Sequence, residues 1–229
     1  MNNLTKLFFI IIVVFLSACN QDSNQGSNQK RPYEKISYLN EFYKNANIKE
    51  NAFPGALKME SEKGALTVNS CSDYLSNISA YNVVETDENM HMLYYYLPCV
   101  SAVLNKKANS SEISFFKGDM SDTIINELDL TTFRSSLRRK LDASNNTFKS
   151  LGYEFDYVDR KVTVKRSNWD YEFILLGRGD YNADGSEQLL VLFIDKAKSS
   201  SYYSSNLLVL NKKNNDHLWV AVDAGEYLE

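Results

Sequence analysis

From Gly152 onward the chain is a succession of short runs, YEFDYV, KVTVKR, YEFILLG, QLLVLFID, NLLVLNK and HLWVAV, separated by Asp, Asn, Gly and Ser. Branched and aromatic side chains pack well on a pleated surface, and the residues between the runs favour turns, so each run reads as a strand. A parallel pair needs a crossover of a dozen or more residues, usually a helix, and none of the gaps offers one. Residues 152–229 are therefore expected to fold as an antiparallel β-meander.

Upstream, residues 31–151 read as mainly helical. Tyr38, Phe42 and Tyr43 fall at helical spacing before Pro54-Gly55 ends the pattern. The segment SCSDYLSNISAY places Leu75 and Ile78 on one face behind polar starting residues. A third helix is expected to begin near Thr86, with Asp87 and Glu88 where negative charge complements the helix dipole. It presents Leu93, Leu97, Val100 and Leu104, and Pro98, which brings no backbone donor, predicts a kink or break.

SDTIINELDL and TTFRSSLRRKL read as two more short helices, the second with Phe133, Leu137 and Leu141 on one face. Its other face carries Arg134, Arg138, Arg139 and Lys140, a solvated face or a contact for anionic headgroups or an acidic partner. Helices followed by strands give an α+β class. The short joint from Ala143 to Ser150 is compatible with one domain or with two.

The first residues impose a different constraint. Lys6 precedes the apolar run Leu7 to Leu16, and small residues follow. That is the layout of a secretory signal, and the run falls well short of the roughly 20 residues a spanning helix needs. Leu16-Ser17-Ala18-Cys19 resembles the bacterial lipobox, in which the cysteine is lipidated and becomes the mature N-terminus. The resemblance implies that residues 1–18 are a removed signal peptide and that Cys19 carries acyl chains holding the protein on a membrane. Asn20, where an aspartate would favour retention at the inner membrane, implies the outer membrane, facing the periplasm. Residues 19–30, polar and without aliphatic side chains, then form a flexible tether.

An exported chain of this kind keeps Cys71 and Cys99, an even pair read as a disulfide, the alternative being two buried thiols. At 44% apolar and 24% charged residues the chain is globular, and its net charge of −4 gives no reason to expect nucleic acid.

One loop has the residues for metal chemistry. Asp180-Tyr181-Asn182-Ala183-Asp184-Gly185-Ser186-Glu187-Gln188 follows the D-x-N-x-D-G pattern. Side-chain oxygens of Asp180, Asn182 and Asp184 can converge on one calcium ion, with the Ser186 carbonyl following the turn that Gly185 permits. The loop resembles those of FG-GAP and VCBS-type repeats and of uncharacterised envelope lipoproteins. Those usually have aspartate where this chain has Gln188, so weak calcium binding is expected unless Glu187 substitutes. A tight hairpin turn that keeps Asn, Asp and Gly for backbone reasons is the alternative. The triplet Arg178-Gly179-Asp180 spells an adhesion tripeptide that the turn already explains.

Catalytic patterns do not assemble. His91 and His217 lie far apart, and no nucleophile elbow, H-E-x-x-H, C-x-x-C or glycine-rich phosphate loop occurs. The expected function is a non-catalytic envelope protein that binds a protein or cell-wall partner. The alternatives are a periplasmic immunity lipoprotein that neutralises a delivered toxin and, disfavoured, an envelope-acting hydrolase.

Overall fold

The computed structural model describes residues 53–138 and 141–228. The leader, Cys19, the tether, the aromatic run at Tyr38 to Tyr43, and Arg139 and Lys140 lie outside these residues. Among the described residues no helix is long and apolar enough to cross a membrane.

The C-terminal half is a six-stranded antiparallel sheet in sequential order. Its strands are β4 (Glu154–Val158), β5 (Lys161–Arg166), β6 (Trp169–Gly179), β7 (Gln188–Ala197), β8 (Tyr203–Asn211) and β9 (Val220–Asp223). The uninterrupted apolar run of β7 follows from burial on both faces. Leu189, Val191 and Phe193 enter one core, and Leu190, Leu192 and Ile194 enter another. β6 carries a bulge between Leu175 and Gly177. A Cβ on Gly177 would lie 2.3 Å from Asn105 Oδ1 and 2.6 Å from the Tyr181 hydroxyl, so a larger residue there would have to displace these two side chains.

Residues 53–107 cover the second face and mix strand with helix, where the sequence suggests helix alone. β1 (Leu57–Ser61) and β2 (Gly64–Val68) form a two-residue hairpin, and β3 (Asn82–Val83) pairs with the other edge of β1. Leu57 and Met59 alternate inward with the period of two that a half-buried strand requires. Helix α1 (Cys71–Asn77) is capped by Ser70 and buries Cys71 and Tyr74, with Leu75 and Ile78 packed at the margin.

Helix α2 (Asp87–Lys107) begins at the Thr86 cap with Asp87 and Glu88 in its first turn. Leu93, Leu97, Val100 and Leu104 are buried as their spacing predicts. The helix continues through Pro98 instead of breaking. The Cys71–Cys99 disulfide, with Cα atoms 5.5 Å apart, ties α1 to the middle of α2 beside that proline.

The opposite face is covered by residues 116–138 and 141–151. A single turn α3 (Met120–Asp122) leads into a π-helical turn (Thr123–Glu127), and α4 (Phe148–Leu151) precedes β4. Residues 131–138 form turns where the sequence suggests a helix. Polar groups outcompete the helix there. The Asp129 carboxylate accepts from the Thr131 N–H and hydroxyl, and the Asp195 carboxylate accepts from the Ser136 N–H and hydroxyl. Phe133 and Leu137 are still buried, against Phe173 and Phe193 in the case of Phe133.

Candidate functional site

The Asp180 loop joins β6 to β7 and is clamped by residues 109–113. Asn109 exchanges backbone hydrogen bonds with Asp180, and the Glu112 and Ile113 N–H groups donate to the Gly185 carbonyl. Inside the loop, Asp180 accepts from the Asp184 and Gly185 N–H groups at 3.2 and 2.9 Å. Asp184 Oδ1 accepts from the Ser186 N–H at 2.7 Å.

Gln188 occupies the centre. Its Oε1 accepts from the Tyr181 N–H at 2.6 Å, which orients the amide. Nε2 then donates to Asn182 Oδ1 at 3.0 Å and to Asp184 Oδ1 at 3.3 Å. An amide donor thus sits where these oxygens would face a cation. Glu187 is not available as a substitute ligand: it is 3% exposed, accepts from Ser114 Oγ and pairs with Arg178 at 2.8 Å. Arg178 also lies over the Phe116 ring, so the adhesion tripeptide is turned inward. Among the described residues no three His, Cys, Asp or Glu side chains form a metal-holding group. Asp180, Asn182, Asp184 and Ser186 are brought together, while Gln188 closes the loop by hydrogen bonding.

A second place has unmet chemistry. A cleft of about 1080 Å³ opens at the edge of the sheet, between the layer carrying α1, β3 and the start of α2 and the turn at residues 134–138. Its floor is the first half of β8, because β9 pairs only from Leu208 to Asn211 and, among the described residues, no second strand pairs with Tyr203 to Leu207. Sequence reasoning missed this site, since strand lengths, not residue types, create it.

Alternation fixes which groups face the cleft. The Ala197 N–H donates to the Tyr202 carbonyl, so Tyr202, Ser204 and Asn206 point their backbone groups towards β7. Those of Tyr203 and Ser205, and the Leu207 N–H, point away from β7, on the side of the sheet edge where these residues line the cleft. Ser205 is 0% exposed and its Oγ has no hydrogen-bond partner. Ser135 Oγ, on the facing turn, is likewise buried and unpartnered. Buried polar groups are nearly always bonded, and leaving one unmet costs about 1–3 kcal/mol.

The walls differ in chemistry. Ile78, Leu93 and Leu97 line the α2 side, where Tyr203 stacks on His91 with centroids 4.7 Å apart. Arg134, Ser135, Ser136 and Arg138 line the other. Arg134 reaches across to Glu85 with both terminal guanidinium nitrogens. That pair is exposed on both sides and contributes under about 1 kcal/mol. Burial pushes the Tyr203 hydroxyl and the Asp223 carboxyl upward from their ordinary values. His217 lies far off and bonds Asn214 at the surface.

No protein-family model, no curated protein and no solved structure matches this chain.

Proposed function

We propose that the chain is a lipid-anchored envelope protein, held through Cys19 on the outer membrane, whose folded part is a non-catalytic module that binds a partner in the cleft beside β8. The leader and lipobox residues support the anchor. The Cys71–Cys99 disulfide fits an oxidising compartment. The observation that carries the binding role is the buried, unpartnered Ser205 hydroxyl at the floor of a cleft large enough for a ligand. The protein partner favoured from the sequence would meet apolar and basic walls together.

Two measurements test this reading in cells. Palmitate labelling should mark the full chain and disappear in Cys19→Ala. A photo-crosslinking amino acid replacing Tyr202, exposed at the cleft, should give adducts that the same group replacing Asp159, exposed on the β4–β5 turn, does not. Equal adducts at both positions, or none at either, would refute the cleft as the working surface.

A further inference from the structure

We infer that the ligand of the cleft is an extended polypeptide segment of a partner protein, which adds as a strand to the free half of β8. The inference rests on the binding role proposed above and gives that site its ligand class.

Tyr203 and Ser205 turn N–H and C=O groups away from β7, as Leu207 does its N–H, and no described residue of β9 pairs with Tyr203 to Leu207. A row of alternating donors and acceptors at strand spacing is matched group for group by another extended backbone. The unpaired stretch of five residues spans about 16 Å at the usual rise per residue. A sugar or a small anion could meet one or two of these groups. A peptide strand meets the whole row.

The walls define its side chains. Residues of an added strand alternate between faces. Those on the α2 side meet Ile78, Leu93 and Leu97, and suit apolar side chains. Those on the other side meet Ser135 with its unpartnered hydroxyl, together with Arg138, and suit acidic or hydroxyl side chains. Ser205 lies at the floor, beyond the reach of bulk water. Entry of a strand therefore parts the two walls. Their tie at the mouth is the exposed Arg134–Glu85 pair, and an incoming carboxylate can take the place of Glu85 on Arg134.

The test uses the full-length chain in detergent, with acetylated nine-residue peptides alternating valine and glutamate, or valine and lysine. Amide hydrogen exchange and binding titrations are followed. The valine–glutamate peptide should slow exchange at Tyr203 and Leu207. N-methylation of its alternate amides on the β8-facing side should weaken binding at least tenfold, and the lysine peptide should bind more weakly. Equal binding by the N-methylated peptide, protection confined to other strands, or no binding by the panel would overturn the inference. Cleft-specific crosslinks in cells with no binding by the panel would leave the binding role standing and remove the strand mode alone.

Discussion

Replacing Gln188 with glutamate changes one group of the Asp180 loop while keeping its shape. In the native loop the amide accepts from the Tyr181 N–H and donates to Asn182 and Asp184. The carboxylate of Gln188→Glu can keep the first bond but turns both donations into contacts between acceptors. One lost bond is to a neutral oxygen and one to a charged oxygen, together worth about 2–4 kcal/mol. The new charge also lies beside Asp184 at a position only 1% exposed.

A loss of about 3–5 kcal/mol in all corresponds to a fall in Tm of roughly 6–20 °C for a domain of this size. The same change gives a cation an additional carboxylate beside Asn182 and Asp184. Thermal unfolding with 1 mM calcium or with excess chelator should show a wild-type Tm that is the same in both. Gln188→Glu should melt much lower in chelator and recover substantially in calcium. A binding constant near 10 µM would return about 2.7 kcal/mol at that concentration. A wild-type Tm that rises with calcium, or a variant as stable as wild type in chelator, would refute the reading that the Gln188 amide stands in for the ion.

Other outcomes follow from the same structure. Cys71→Ser/Cys99→Ser should lose about 3–4 kcal/mol in denaturant unfolding, because the bridge closes a loop with a sequence separation of 28. Lys212 is buried and pairs with Glu127, which also accepts from Trp219. Burial pushes the Glu127 carboxyl up, but Lys212 and Lys117 outweigh it and hold the carboxyl below its usual range. That stability is present above the unfolded carboxyl value and lost as pH falls through the folded one. Lys212→Met should therefore cost about 3 kcal/mol near pH 7 and progressively less towards pH 3, as followed by urea unfolding.

Asp195 behaves oppositely. Burial raises its carboxyl despite bonds from Ser136 and Trp169, so its contribution falls as pH rises through its folded value. Asp195→Asn, which has one acceptor oxygen for donors now served by two, should lose about 1–3 kcal/mol near neutral pH by the same assay.

The sheet was legible because each strand announces itself locally: six short runs, turn residues between them, and no segment long enough for a crossover. Helix α2 was legible for the same reason, with its Thr86 cap and its four-residue apolar spacing. The β1–β2 hairpin was not, since Leu57 and Met59 are two inward positions in a five-residue strand and offer little period to read. Residues 131–138 misled because Phe133 and Leu137 are spaced as on a helix, yet Asp129 and Asp195 take the Thr131 and Ser136 donors. The residues of the Asp180 loop were identified, but the role of Gln188 depends on which way its amide points. That orientation is set by the Tyr181 N–H. The cleft left no trace in any motif, because it depends on β9 ending four pairs along β8.

Among the described residues the first half of β8 is an unpaired edge. Residue-by-residue amide exchange on the unliganded full-length chain tests this directly. The amides of Tyr203 and Leu207 should exchange far faster than those of Ser204, Asn206 and Leu208, which bond to β7. Uniform protection from Tyr203 to Leu208 would mean that the edge is already covered, and would contradict the account.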